Sequence, residues 1–369
     1  MAVGLKRQQK LFYAVCGLAV LGFICTVRLS SDRVPVSGWP SVGCLRILQL
    51  GSSLLGCVDH HFHAIRDPCH SDSQTAEQAS DCLRRRAARL GRPARLVLIG
   101  DSRSRILQEQ LREFVHLSNG PKPEDVSAAD VPPGPLHDFQ LFATRDMCPI
   151  RGKFCSNILT SDVLSVEFWR RPFLYTLFVQ KLRAIATECR EKPPACPDLV
   201  VLNGGLWYIQ MRIQQLVVIE NSSTAWMIKL GEHVTELRAV LRELSELVTV
   251  VWRLEEAITS DALGLGKKDM DYQKRITASH PFFYELQRQV PRLAVWSSML
   301  PETMDVAQRV CRPVRQLNVS TDAVIEDTFD QCEDEIHAGP ALRQRFISKL
   351  LDILCEVDGD REPGHCCRG

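Results

Sequence analysis

The chain has little excess of either charge, few aromatics and only one long apolar run. Its 369 residues carry 45 Lys and Arg against 44 Asp and Glu, a formal net charge of +1. A nucleic-acid binder needs a basic excess to neutralise phosphates, so that class is set aside. Aromatics make up 7% and no low-complexity tract is present, which excludes a fibrous or prion-like chain. No pair of C-x2-C spacings occurs, so a structural zinc site is not expected. With 45% hydrophobic and 24% charged residues, the composition is that of an ordinary folded protein. At roughly 100–200 residues per domain, the length allows two domains or one large one.

The one long apolar run is Leu11 to Val27, preceded by Lys6, Arg7 and Lys10 and closed by Arg28. It lies at the short end of the about 17–25 residues that cross a bilayer. A cleaved secretory signal is the rival reading, but Thr26-Val27-Arg28-Leu29 offers no small-x-small cleavage site. We therefore expect a cytosolic tail over 1–10 and a transmembrane signal anchor over 11–27. The product is a single-pass type II protein whose N-terminal helix sits in the membrane and whose remainder lies outside the cytosol.

Cysteine usage agrees with an oxidising compartment. Beyond Cys16 and Cys25 in the apolar run lie Cys44, Cys57, Cys69, Cys82, Cys148, Cys155, Cys189, Cys196, Cys311, Cys332, Cys355, Cys366 and Cys367. Disulfides are the expected state there, with connectivity open and one thiol left over or paired between chains. Asn221-Ser222-Ser223 and Asn318-Val319-Ser320 are N-glycosylation acceptors.

Residues 28–43 read as a stem, and 44–94 as a cysteine-containing preface. In the preface, Arg84-Arg85-Arg86 is expected as a solvated helix face, and His60, His61 and His63 as exposed histidines without metal-ligand spacing. From Arg95 apolar strands and amphipathic helices alternate. The strands are expected at 95–99, 163–169, 199–202, 248–252 and 293–296. Helices fall at 103–115, 174–189, around 226–244, 270–289 and after Pro340. The proline-rich stretch 117–150 has no periodicity and reads as a long loop. Such alternation implies a mostly parallel sheet with helices on both faces, spanning 95–357, with 358–369 as a tail.

Chemistry concentrates at three places. Gly100-Asp101-Ser102 follows the first strand of this region and precedes a helix, where open parallel sheets form their sites. Ser102 is placed to be a nucleophile, with its own N–H at a helix N-terminus. Asp-Ser is equally an ordinary helix cap. A serine needs a base, and Asp334 and His337 can face the same way on one turn. The plain alternative is that Asp334 caps the last helix. Asn203-Gly204-Gly205 ends the third strand, where the Asn203 amide and Gly205 can assist an oxyanion beside Ser102, or form a mere strand-ending turn.

These residues resemble a known family. Gly100-Asp101-Ser102 and Asp334-x-x-His337 look like the signature of the SGNH hydrolase superfamily, and Ser102-x-x-Arg105 with Asn203-x-Gly205-x-Trp207 narrows the likeness to the PC-esterase-like group. Within it, LVLIGDSRSRIL, VEFWRRPFL, LVVLNGGLW and EDEIHAGP are most similar to the lumenal catalytic domain of sialate O-acetyltransferase. The resemblance covers about Cys44 to Cys355. It implies a three-layer α/β/α sandwich, a Ser102–Asp334–His337 triad, Golgi residence, and acetyl transfer from acetyl-CoA to a glycan hydroxyl, sialic acid among the acceptors. No bound cofactor is implied. Arg103 and Arg105 are candidates for contacting a CoA phosphate or acidic sugar, or for structural ion pairs, and Trp207 for lining the site. The alternatives to transfer are a carbohydrate O-acetyl esterase on the same site, and a catalytically silent glycan-binding or scaffold protein.

Overall fold

The computed structural model describes residues 75–121, 156–211, 225–256, 267–299 and 337–356, with a few single positions beside these, and the backbone of 54–58 and 61–65. The expected anchor, stem and tail, both glycosylation sites and Asp334 lie outside the described residues. Among the described residues no helix is long and apolar enough to cross a membrane.

A hairpin of β1 (Leu54–Val58) and β2 (His61–Ile65) opens the described chain. Then follow α1 (Ala76–Leu90), β3 (Ala94–Gly100), α2 (Ser102–Phe114), β4 (Ser118–Asn119), β5 (Asn157–Thr160), β6 (Leu164–Arg170) and α3 (Leu177–Glu191). The chain continues through β7 (Leu199–Leu202), α4 (Leu206–Met211), α5 (Ala225–Leu247), β8 (Thr249–Arg253), α6 (Lys267–Gln289), β9 (Leu293–Trp296) and α7 (Pro340–Glu356).

Seven strands form one sheet in the order β4-β5-β6-β3-β7-β8-β9. From β6 to β9 every pairing is parallel; β4 and β5 add an antiparallel edge. The chain thus starts the parallel sheet at β3, steps to β6 on one side, and then to β7 on the other. That reversal beside β3 is a topological switch point, where two connections leave in opposite directions and open a crevice at the carboxyl ends of the strands. Ser102 is one residue beyond the next position after β3 and stands at that crevice.

Alternation along the strands makes the layers. Leu96 and Leu98 point into one core with Leu83 of α1, Leu107 and Leu111 of α2, and Phe346 and Leu350 of α7. Val97 and Ile99 point into the other, with Phe178 and Leu182 of α3, Leu230 and Leu237 of α5, and Phe283 of α6. Both faces of the sheet are therefore covered, as a parallel sheet requires, and the fold is the expected three-layer α/β/α arrangement. Trp252 of β8 stacks on Phe283 at 4.7 Å, and Trp296 of β9 meets Phe346 edge-on at 5.9 Å, so each core has an aromatic centre.

Several sequence expectations need correction. The β4–β5 edge is extra; its strands are too short to show a period in the sequence. The arginine cluster is not a uniformly solvated face. Arg84 and Arg85 are exposed, but Arg86 is 3% exposed. It donates to the Leu354 carbonyl of α7 and to the Asp198 carboxylate, each at 2.7 Å. One turn of α1 points inward because Cys82 and Arg86 share its face, and Cys82 is bonded to Cys355 of α7. A second disulfide, Cys189–Cys196, closes the end of α3.

Two buried histidines make stability depend on pH. Burial pushes His233 of α5 and His280 of α6 down to about 4. Unfolded, each titrates near 6.5, so between those values the unfolded chain binds more protons and stability falls as pH falls. The loss begins below about pH 6.5, is complete near pH 4, and reaches up to about 3 kcal/mol per histidine. Urea midpoints at pH 7 and 4.5 check this: the difference between them should shrink in a His233→Gln/His280→Gln variant, and an unchanged difference contradicts it.

Candidate active site

The site is built on the carboxyl ends of β3, β6, β7 and β8. Gly100 ends β3 because no side chain fits there: a Cβ would lie 2.7 Å from both the Asn203 carbonyl oxygen and Ser104 Oγ. The chain then turns sharply into α2. Asp101, completely buried, caps the helix by accepting the Arg103 N–H at 2.9 Å. This cap leaves Ser102 at the first helical position, half-buried, with its N–H among the orphan donors of the helix start.

His337 reaches Ser102 from far along the chain. Its Nε2 lies 2.9 Å from Ser102 Oγ across a sequence separation of 235. For Nε2 to accept the serine proton, Nδ1 must carry the other hydrogen. His337 stands just before α7, and α7 is packed into the core through Phe346, Leu350 and Leu354 and bonded to α1 through Cys355. The imidazole is thus carried on a rigid support. Asp334 lies outside the described residues.

A buried charge network underlies both side chains. Arg103, next to Ser102 and 2% exposed, donates Nη1 to Glu255 Oε2 at 2.5 Å and Nη2 to the Glu256 carbonyl at 3.2 Å. Glu255, wholly buried just past β8, accepts with Oε1 from the Leu206 N–H at 3.1 Å and from Asn203 Nδ2 at 3.3 Å. Burial pushes its carboxyl up, and the Arg103 charge opposes this. The neighbouring Glu256 pairs with Arg253 and accepts the Ala338 N–H at 3.1 Å. Burial draws Arg253 down to about 10, with the Arg103 charge adding to the effect.

The other candidates fall as follows. Asn203 is completely buried, and its amide donates to the Arg253 carbonyl and to Glu255, each at 3.3 Å. Both amide hydrogens therefore have acceptors at or just past the end of β8, and the side chain ties β7 to β8. Gly205 holds φ +144°, a value that suits glycine, and a Cβ there would sit 3.2 Å from Glu255 Oε1. Arg103 is engaged in the ion pair above. Arg105 pairs with Glu109 one turn along α2 at 2.5 Å. Trp207 is half-buried, edge-on to Phe173 at 6.0 Å and under the Arg170 guanidinium at 5.5 Å. Arg170 ends β6 opposite Gly100 and is drawn down to about 10 by burial, against the pull of Asp101.

Sequence reasoning passed over Glu255, Glu256 and Arg170. The signal open to it was position alone: each stands at or just past the carboxyl end of a parallel strand, where such sheets form their sites. Among the described residues no cluster of His, Cys, Asp or Glu could hold a metal ion.

No family model and no curated protein matches the chain. Among solved structures, an acetyl xylan esterase is similar at 12% identity and a TM-score of 0.34, over 70% of this chain and 98% of that one. A peptidoglycan O-acetylesterase is similar at 11% identity and a TM-score of 0.39, over 76% of this chain and 96% of that one. Overlaps this loose leave the site to be read from its own geometry.

The turn at Gly100 is testable by itself. Gly100→Ala should lower the urea unfolding free energy by about 1–3 kcal/mol, since backbone and Ser104 must both yield. A variant as stable as the parent would contradict the close approach of β3 and β7.

Proposed function

We propose that the chain is a serine-dependent acyl-transfer enzyme that acts on carbohydrate O-acetyl groups. The observation that carries this reading is the 2.9 Å approach of His337 Nε2 to Ser102 Oγ, at the switch-point crevice of a parallel sheet. A hydroxyl and an imidazole so placed form the minimal nucleophile and base.

The mechanism follows from that pair. His337 Nε2 takes the Ser102 proton as Oγ attacks the acyl carbonyl. The oxyanion that forms lies at the N-terminus of α2, where the Ser102 N–H and the helix dipole favour negative charge. As the tetrahedral species collapses, the imidazolium gives its proton to the departing group and the acyl group remains on Ser102. An acceptor hydroxyl then repeats the sequence in reverse and restores the serine. Asp334 is proposed to hold the Nδ1–H and stabilise the imidazolium, as the D-x-x-H motif implies.

The resemblance to the sialate O-acetyltransferase group supports a glycan hydroxyl as acceptor and acetyl-CoA as donor. In this reading the chain works in the Golgi lumen, held by the anchor at 11–27 and glycosylated at Asn221 and Asn318. The disulfides Cys82–Cys355 and Cys189–Cys196 support an oxidising compartment. The same serine and histidine would serve hydrolysis if water were the acceptor.

Incubation with acetyl-labelled acetyl-CoA and a glycan acceptor tests the reading. Labelled sugar is expected with the parent, falling by about 1,000-fold or more in Ser102→Ala. Release of acetate from an O-acetylated glycan without transfer would replace the transferase by an esterase. Undiminished turnover in Ser102→Ala would refute the serine mechanism.

A further inference from the structure

Two consecutive glutamates leave the end of β8 and divide between the two halves of the site. Glu255 grips Arg103, the residue after the nucleophile. Glu256 accepts the N–H of Ala338, the residue after the base, at 3.1 Å. Both carboxylates are buried, at 0% and 2% exposure, and their separation is fixed by a single peptide unit. Arg253 fixes that unit in turn. It closes β8, pairs with Glu256 and donates Nε to Met299 Sδ. Arg253, Glu256, Arg103 and His337 also line one small cavity, so Glu256 and the base share a wall of the same space.

Burying two carboxylates costs several kcal/mol each unless they are paired, and well-packed apolar residues would often serve stability as well. An arrangement kept in spite of that cost is explained by position. The loop ahead of α7 carries His337, and the Ala338 N–H, which lies before the helix and takes no part in its ladder, has the Glu256 carboxylate as its acceptor. A carboxylate on that N–H fixes the backbone one residue from the imidazole.

We propose that Glu256 is a positioning residue: through the Ala338 N–H it holds the His337 loop at the height that Glu255 and Arg103 set for Ser102. Resting on the acyl-transfer reading, this adds that the distance between nucleophile and base is set from β8, not from α2 or α7 alone. Misplacement of a catalytic group by about 1 Å costs on the order of 100-fold in rate. Glu256 touches neither Ser102 nor the acyl group, so its contribution appears only through His337.

The test compares Glu256→Gln and Glu256→Leu in the full chain, each also in an Arg253→Met background that leaves no buried cation unpaired. Two quantities are read: the rate at which a fluorophosphonate labels Ser102, and the urea midpoint. Both substitutions lose the ion pair and lower the midpoint, Leu further than Gln because it also leaves the Ala338 N–H and the Arg253 guanidinium without an acceptor. Only Gln keeps a side-chain oxygen for the Ala338 N–H. Labelling should stay within about 3-fold of the parent for Gln and fall by about 100-fold for Leu, in both backgrounds. Equal labelling by Gln and Leu, or a Leu variant that labels like its parent, overturns the proposal. The Arg253→Met background keeps the comparison measurable where a lone guanidinium would unfold the Leu variant. Failure of the acyl-transfer reading looks different: the parent itself would then carry no adduct on Ser102.

Discussion

The ion pair between Arg103 and Glu255 is the constraint on which the rest of the site depends. It joins the first turn of α2 to the end of β8, two elements that contribute to different layers. With both side chains almost without solvent contact, each charge depends on the other and on the polar groups around the pair. Asn203 and the Leu206 N–H complete the shell of Glu255, so the ends of β7 and β8 and the start of α2 are locked into one unit. Removing either partner would strand a charge in the core and loosen three elements at once.

That lock explains why a crevice at a topological switch point can be rigid. The strand ends around Ser102 diverge there, since β6 and β7 leave β3 on opposite sides. Hydrogen bonds of the sheet stop at Gly100 and Leu202, and side chains take over. Asp101 caps α2, Glu255 ties it to β8, and Glu256 ties β8 to the loop ahead of α7. The disulfide from α1 to α7 closes the circuit behind the sheet. The serine and histidine come from opposite ends of the described sheet domain, yet their approach is fixed by short polar links rather than by any single helix.

Much of this was legible in the sequence, and the reasons differ by element. The five parallel strands are short, largely apolar segments, and α2 and α5 carry a clear helical stripe; the strands and α2 fall within one residue of their expected bounds, and α5 runs three residues further. Ser102 was visible because a glycine before it and a helix after it mark a tight turn. His337 was visible through the Asp334 spacing, although its meeting with Ser102 depends on how α7 packs. Glu255 and Glu256 were hidden because an isolated pair of acids after a strand looks like solvent-facing polarity. Asn203 shows the reverse case: an asparagine at a strand end suggests chemistry, while its amide is used to join strands. A run of three arginines looks solvated in sequence, and Arg86 is buried because α7 packs against that side of α1, a tertiary contact that helical periodicity does not encode.

The account stands or falls on whether Ser102 is activated by His337. Intact-mass and peptide mapping after brief treatment with a fluorophosphonate should find one adduct, on Ser102, and none over the same interval in His337→Ala. An adduct on another residue, or equal labelling of Ser102 without the imidazole, would contradict it.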